Sequence, residues 1–183
     1  MTAIAGLVQD GRVWMGGDSA GVAGYGLQVR ADPKVFHLGD MLIGYTTSFR
    51  MAQIIRFHVT PTTPKEGQDA FEYMIQEFVP SVREAMKAHG YLKTESGRET
   101  GGTFLLGWRG KLYAIEEDFQ VAENACSYAA CGCGRDLVLG SLHTTEQFEL
   151  DGRTRIRMAL ETAEMFSAGV RGPFIVKSIS GAS

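Results

Sequence analysis

The chain has 183 residues, of which 44% are hydrophobic and 21% are charged, and its formal net charge is -3. This length suits a single globular domain over residues 1–183 and gives no reason to expect a second one. The 18 basic residues are scattered rather than clustered, which argues against nucleic acid as a partner.

Membrane and secretion signals are both missing from the sequence. No apolar stretch reaches the roughly 18 to 20 residues that a membrane helix needs, and the N-terminus lacks the basic flank and apolar centre of a signal peptide. We therefore expect a cytoplasmic protein with no membrane partner. The three cysteines, Cys126, Cys131 and Cys133, are an odd number crowded into one segment, which predicts reduced thiols rather than disulfides.

The first quarter of the chain is rich in β-formers. Two such runs are separated by Asp10-Gly11, a pair that readily supplies the positive φ angles of a two-residue hairpin turn. Gly39-Asp40 marks a second turn, and Lys34 lies at the head of the strand before it. The strands predicted here cover residues 2–9, 12–17, 27–30, 35–38 and 41–46.

Helical and extended patterns alternate in the remainder of the chain. Apolar residues at helical spacing predict four helices, and Pro80 is expected to kink or interrupt the second of them. The predicted helices are 49–57, 70–88, 136–142 and 153–166, the strands are 103–109, 111–116, 127–131 and 173–179, and the loops are 60–67 and 93–102. Two groups of antiparallel strands and two pairs of helices predict an α+β fold, a four-layer αββα sandwich.

Three residues near the N-terminus stand out for their chemistry. Thr2 follows the initiator methionine, Asp18 lies sixteen residues later, and Lys34 lies sixteen residues after Asp18. Methionine aminopeptidases remove Met1 before a small second residue, so the mature chain is expected to begin with Thr2. A threonine with a free α-amine combines a nucleophile with its own base.

Four sequence segments carry a family resemblance: TAIAGLV at 2–8, GGDS at 16–19, KVF at 34–36 and ACGCG at 130–134. They resemble the proteasome β-subunit family and its bacterial relative HslV, which are N-terminal-nucleophile (Ntn) hydrolases. The likeness runs from Thr2 almost to the C-terminus. It implies the same four-layer Ntn-hydrolase fold that the strand and helix pattern predicts.

The resemblance implies that Thr2 Oγ is the nucleophile and that its α-amine is the general base. An α-amine has an ordinary pKa of about 7.7 to 8, so it accepts a proton near neutral pH when its charged form is disfavoured. The Lys34 ammonium would disfavour that form by like-charge repulsion. Asp18 would keep Lys34 charged and orient it.

Three further residues occupy catalytic positions of the family. Cys133 stands where the family has the serine of a Gly-Ser-Gly run, and it is expected to help hold the amine; the alternative is a small buried hydrophobe. Glu164 and Ser167 match an Asp-x-x-Ser element that lies close to the nucleophile. Their alternative roles are a solvated charge on the last helix and the residue that ends that helix.

The oxyanion hole and the substrate pocket are predicted from the segment after the strand 41–46. The family's oxyanion donor is the backbone N–H of a glycine, and here Thr46 or Thr47 would supply it. By the same alignment, Gly21, Asp32, Thr46 and Arg50 would border the pocket for the side chain before the scissile bond.

The cysteine spacing does not predict a metal site. Cys126, Cys131 and Cys133, with His143 nearby, could be taken for zinc ligands. However, Cys131 and Cys133 would share a strand face only if the strand continued through two glycines, and no second Cys-x-x-Cys or His pair is present. We predict neither a metal nor another cofactor.

The sequence therefore predicts a threonine endopeptidase that cleaves peptides or unfolded proteins. The resemblance implies a homo-oligomeric ring and an ATPase or α-type ring as its partner. Two alternatives stay open: a catalytically inactive structural subunit of the same fold, and an Ntn acylase that acts on a small amide, because fold and nucleophile do not fix the substrate.

Overall fold

The structure is a computed structural model that describes residues 1–181, and its fold is mixed α+β with antiparallel sheets. The strands are β1 (Ile4–Gln9), β2 (Arg12–Gly17), β3 (Ala20–Ala23), β4 (Gly26–Val29), β5 (Val35–Leu38), β6 (Met41–Tyr45), β7 (Lys93–Glu95), β8 (Arg98–Thr100), β9 (Phe104–Trp108), β10 (Lys111–Ile115), β11 (Val121–Glu123), β12 (Tyr128–Cys131) and β13 (Ile175–Ser180). The helices are α1 (Phe49–His58), α2 (Ala70–Tyr73), α3 (Val79–Ala88), α4 (Arg135–Thr145) and α5 (Gly152–Phe166), with a π-helical turn, Met74–Phe78, between α2 and α3.

Two larger sheets organise the molecule. One has the strand order β12-β1-β2-β13, and the other has the order β11-β10-β9-β6-β5; β3-β4 and β7-β8 form separate two-stranded hairpins. The β1–β2 turn is as predicted: Asp10 and Gly11 have φ of 52° and 69°, the left-handed angles of a tight hairpin. The antiparallel register places Ile4 opposite Gly17.

Three clusters of buried residues hold the helices and sheets together. The first joins α1, α2 and α3 to the five-stranded sheet, and it includes Trp108 and Tyr73. The second lies between the two larger sheets around Ile4 and Met15. The third joins α4 and α5 to β1 and β12. Because β1 contributes to the second and third clusters, it is apolar on both faces and shows no simple alternation.

The helix predicted at 70–88, which Pro80 was expected to kink or interrupt, stays helical through this residue, but a π-helical turn interrupts its α-helical pattern. Proline cannot donate a hydrogen bond to the preceding turn, and its ring crowds the carbonyl four residues earlier. The π-helical turn Met74–Phe78 lies immediately before α3, where Pro80 occupies the first turn. Wider π spacing absorbs the crowding, so the segment stays helical.

Several predicted boundaries are wrong. The predicted loop 93–102 contains the hairpin β7–β8, whose turn residues Ser96 and Gly97 have positive φ. The strands β3 and β11 were not predicted, because both are short and lack an apolar alternation. The first strand begins at Ile4 rather than Thr2, so Thr2 lies two residues before β1 instead of within it.

Within residues 1–181, no helix is both long enough and apolar enough to span a membrane.

Candidate active site

Thr2, Lys34 and Asp18 meet in one buried cluster. Lys34 Nζ lies 2.8 Å from Thr2 Oγ1 and 2.9 Å from Asp18 Oδ1. The three residues are only 5%, 1% and 1% exposed. The Lys34 ammonium thus bridges the Thr2 hydroxyl and the Asp18 carboxylate. Because the cluster is buried, bulk water does not compete for these two hydrogen bonds.

Backbone N–H groups fix the Asp18 carboxylate. Oδ1 accepts from the N–H of Ala3 at 3.0 Å, and Oδ2 accepts from the N–H of Ala20 at 2.9 Å and of Arg171 at 3.4 Å. These donors come from three separate segments of the chain. The carboxylate is therefore anchored on both oxygens, and it presents a fixed acceptor to Lys34.

The β1–β2 pair explains why residues sixteen positions apart meet. Its register brings Asp18 beside Ala3, and the Asp18 N–H donates to the Ala3 carbonyl at 3.3 Å. Gly17 permits close packing at this point, because a Cβ there would collide with Ile4 Cδ1 at 2.8 Å, whereas Lys34 Cβ, at 3.4 Å, would be in ordinary contact.

Burial and charge act in opposite directions on Lys34. Burial disfavours the ammonium and lowers the pKa of Lys34 below its ordinary value, while the charge and hydrogen bond of Asp18 oppose that shift. Burial is the larger of these effects. The charge state of Lys34 therefore depends on Asp18, as the sequence-based role assigned to that carboxylate requires.

The loop after β12 lies directly against Thr2. The Thr2 nitrogen donates to Cys133 Sγ at 3.3 Å, and the Gly134 N–H donates to the Thr2 carbonyl at 3.2 Å. Gly132 has a φ of 95°, and a Cβ there would lie 2.2 Å from the Thr2 oxygen. Only glycine permits this approach. Cys133 is exposed rather than a buried hydrophobe, so the alternative for this residue is wrong.

Met1 lies over the cluster in this chain. Thr2 Oγ1 donates to the Met1 carbonyl at 2.5 Å, and Lys34 Nζ lies 3.5 Å from the same oxygen. The Met1 side chain is 59% exposed and rests on Gly169, where a Cβ would lie 2.4 Å from Met1 Cβ. While Met1 is attached, the Thr2 nitrogen is a peptide nitrogen and has no basic lone pair.

Glu164 and Ser167 occupy different positions relative to Thr2. Ser167 Oγ lies 3.7 Å from Cys133 Sγ, which places it beside the loop that holds Thr2. The Glu164 carboxylate instead accepts from the Gly172 N–H at 2.9 Å and lies 3.8 Å from Arg171 Nη1. It is thus connected to Asp18 through the segment around Arg171, not through contact with Thr2.

The structure separates the two candidate oxyanion donors. The Thr46 N–H donates to the Thr103 carbonyl at 3.1 Å, so it is not free, and the choice of Thr46 as donor is wrong. Thr47 has a φ of 67°, and within residues 1–181 its N–H has no hydrogen-bond acceptor. The next N–H, of Ser48, donates to the Thr46 carbonyl at 2.8 Å. Thr47 therefore stays the candidate.

A cleft of about 430 Å³ is lined by Gly21 but not by Asp32, Thr46 or Arg50, the other three residues predicted to border the substrate pocket. The Arg50 guanidinium is directed to the His89 carbonyl at 3.5 Å. Successive residues of a helix are rotated by about 100° about its axis. Phe49, the first residue of α1, therefore faces the cleft, and its neighbour Arg50 does not. Arg30 also lines the cleft, and Asp32 binds Arg30.

Arg30 and Phe49 were missed by the sequence analysis. Arg30 and Asp32 lie two residues apart in the bend that follows β4 and form an ion pair. This opposite-charge pair was the signal that could have identified Arg30.

The remaining cysteines are free thiols. Cys131 is buried between the sheets, and burial raises the pKa of its thiol, whereas Cys126 is exposed. Among the described residues, no group of three or more His, Cys, Asp or Glu side chains is placed to hold a metal ion.

Comparison with solved structures identifies the fold. BPH of Thiobacillus denitrificans, in complex with epoxomicin, matches with a TM-score of 0.80 and 20% identity, covering 100% of both chains. The chain has the proteasome-like fold. HslV from Trypanosoma brucei matches this proteasome-like chain with a TM-score of 0.71 and 16% identity, over 98% of this chain and 99% of that one.

Anbu (ancestral beta-subunit) from Yersinia bercovieri shares the proteasome-like fold at 12% identity. Its TM-score is 0.68, over 98% of this chain and 82% of that one. No model of a known protein family and no curated protein sequence matches the chain. The fold relationship is therefore visible in three dimensions, at sequence identities of 20% and below.

Proposed function

We propose that the protein is a threonine-type peptidase that uses Thr2 as its nucleophile once Met1 has been removed. The observation that carries this proposal is the position of Lys34 Nζ, 2.8 Å from Thr2 Oγ1 and 2.9 Å from Asp18 Oδ1 in a buried cluster. A buried lysine needs hydrogen-bond partners in any role. This lysine contacts the hydroxyl that becomes N-terminal once Met1 is removed, where a cation can help to activate a nucleophile.

In the proposed reaction, Thr2 Oγ attacks the carbonyl carbon of the scissile amide, and the Thr2 α-amine takes the hydroxyl proton. The oxyanion that forms is stabilised by the Thr47 N–H. Collapse of the tetrahedral intermediate breaks the C–N bond, and the α-ammonium returns the proton to the leaving amine. Water then hydrolyses the resulting ester and restores the hydroxyl of Thr2.

The other site residues act on Thr2 in this scheme. Lys34 lowers the pKa of the α-amine by like-charge repulsion and polarises the Thr2 hydroxyl. Asp18 keeps Lys34 charged. Cys133, 3.3 Å from the Thr2 nitrogen, orients the amine, and Ser167 supports Cys133. Glu164 positions the segment around Gly172.

The proposal also covers the layer architecture, the oligomeric assembly and the cellular location of the protein. We propose a four-layer αββα sandwich, supported by the three buried clusters, that assembles into a homo-oligomeric ring in the cytoplasm. Large apolar side chains are exposed on the isolated chain and would be covered by neighbours: Phe57, Phe148, Met165 and Phe166 are 59% to 75% exposed. An ATPase or α-type ring is the proposed partner, and sedimentation of the purified protein, alone and with that partner, measures both assemblies.

Peptide hydrolysis by purified protein tests the proposal. We expect turnover of fluorogenic peptides that Thr2→Ala abolishes and Thr2→Ser retains in part, because serine keeps the hydroxyl and the α-amine. Retention of Met1 on a folded, inactive protein would instead support the alternative of a catalytically inactive structural subunit. Hydrolysis confined to small amides, with no peptide turnover, would support the acylase.

A further inference from the structure

Cys133 carries an exposed thiol that is in direct contact with Thr2. Its Sγ lies 3.3 Å from the Thr2 nitrogen and 3.4 Å from the Thr2 carbonyl oxygen. The Ser167 hydroxyl lies 3.7 Å from the same sulfur. Because an exposed thiol is open to oxidation, this contact places an oxidisable group against the proposed general base.

The backbone around this contact holds the sulfur and the nitrogen together. Strand β1 pairs with β12 so that Ile4 lies opposite Cys131. The Gly134 N–H donates to the Thr2 carbonyl at 3.2 Å. The segments on both sides of the contact are therefore fixed by hydrogen bonds. Groups that are held in contact in this way react far faster than the same groups free in solution.

The other two thiols are poorly placed to form a disulfide with Cys133. Cys131 is buried and packs between the two larger sheets. Cys126 precedes β12 whereas Cys133 follows it, so these two residues lie at opposite ends of the strand. A disulfide needs Cα atoms within about 7 Å, and this four-residue strand is roughly 13 Å long. The Thr2 nitrogen, by contrast, already touches the sulfur.

Oxidation by hydrogen peroxide would convert this contact into a covalent bond. Peroxide oxidises the Cys133 thiol to a sulfenic acid and is itself reduced to water. The lone pair of the Thr2 α-amine then attacks Sγ, the S–O bond breaks, and the hydroxide leaves as water with a proton from the nitrogen. The product is a sulfenamide with an S–N bond, and the chain has lost two hydrogen atoms overall.

We propose that Cys133 is a peroxide-sensitive modification site that reversibly blocks the Thr2 amine through this S–N bond. The inference rests on the proposed function for the free amine of Thr2 and for the consequence of the bond, which is loss of the general base. A thiol reductant restores both groups, because a thiolate attacks Sγ and releases the amine. The redox state of one exposed sulfur thus switches the site off and on.

Intact and tandem mass spectrometry of peroxide-treated protein tests the proposal. The chain is produced with Thr2 as its first residue, by cleaving an N-terminal fusion directly before Thr2, so that the test does not depend on natural removal of Met1. Mild peroxide should lower its mass by about 2 Da and link Thr2 to Cys133, and a thiol reductant should reverse the change. Peptide turnover, measured in parallel, should fall by about 100-fold, the usual contribution of a general base, and return on reduction.

Two variants make the result specific. Cys133→Ser lacks the sulfur and should show neither the mass change nor the peroxide-dependent loss of turnover. The matched control, Cys126→Ser, removes another exposed thiol and should react with peroxide as the wild type does. A sulfenic or sulfinic acid on Cys133 without the link, a link that needs Cys126, or an unmodified Cys133 would overturn the inference. The link without any peptide turnover would contradict only the proposed function, and turnover without the link would contradict only this inference.

Discussion

Cys133 Sγ lies 3.3 Å from the Thr2 nitrogen, the atom that would act as general base once Met1 has been removed. The same sulfur donates to the Thr2 carbonyl at 3.4 Å. A thiol is a weaker donor and acceptor than a hydroxyl. Once Met1 is removed, the Thr2 amine would therefore be held by a weak hydrogen bond. The family that the sequence resembles has a serine at this position.

Replacing this thiol tests its positioning role. Cys133→Ser should raise kcat/KM by about 2- to 10-fold, the value of one improved neutral hydrogen bond, and Cys133→Ala should lower it. Steady-state peptide hydrolysis measures both effects. If Cys133→Ala matched the wild type, Cys133 would have no role in holding the amine.

Asp18→Asn is expected to change the pH dependence of activity. Burial already lowers the pKa of Lys34, and Asp18 opposes that shift. Without the carboxylate the pKa of Lys34 falls further. The Lys34 ammonium therefore loses its proton at a lower pH than in the wild type. The alkaline limb of the kcat/KM profile should therefore move to lower pH.

The matched control for Asp18→Asn is Glu123→Gln, which removes an exposed ion pair with Lys111 and should leave the profile unchanged. An alkaline limb at the wild-type position in a folded Asp18→Asn protein would show that Asp18 does not sustain the charge of Lys34.

Gly132→Ala should be strongly destabilising. The added Cβ would lie 2.2 Å from the Thr2 oxygen on a backbone with φ of 95°. Left-handed strain and overpacking together predict a loss of about 2 to 5 kcal/mol in the free energy of unfolding. Urea unfolding measures that loss.

Gly140→Ala provides the comparison for Gly132→Ala. Gly140 lies within α4, and a Cβ there would have no neighbour within 4 Å. This variant should gain about 0.5 to 1 kcal/mol from helix propensity. Equal effects of the two alanines would contradict the close approach of Gly132 to Thr2.

Glu164 should behave as a positioning residue. Its carboxylate holds the Gly172 N–H, and the neighbouring Arg171 N–H donates to Asp18. Glu164→Ala should lower the free energy of unfolding by about 1 to 3 kcal/mol and reduce activity. Glu164→Gln keeps an oxygen acceptor and should retain most of both. Loss of activity in Glu164→Gln without loss of stability would instead indicate a direct catalytic role.

The central cluster was predicted from the family resemblance and from the spacing of Thr2, Asp18 and Lys34, and local sequence features explain why it forms. Asp10-Gly11 specifies a tight hairpin, and the resulting register brings Asp18 beside Ala3. Lys34 directly precedes β5, a strand of the other sheet, and its Nζ reaches Asp18. Each of these steps depends on turn residues, alternation and size, which a single sequence displays.

Contacts between segments that are distant in the sequence could not be predicted from local sequence patterns. Nothing near Glu164 indicates that its carboxylate meets Gly172 rather than the nucleophile. The cleft prediction failed for a smaller reason: α1 begins at Phe49, as predicted, but Phe49 and not its neighbour Arg50 lines the cleft. The π-helical turn before Pro80 likewise depends on how the helix packs, not on propensity alone.

The most direct test of the central claim is intact and tandem mass spectrometry of the native protein after treatment with a peptide epoxyketone. The account predicts a chain that begins at Thr2 and carries one covalent adduct on that residue, with no adduct in the Thr2→Ala variant. A folded protein that retains Met1, or that begins at Thr2 and stays unlabelled, would contradict it.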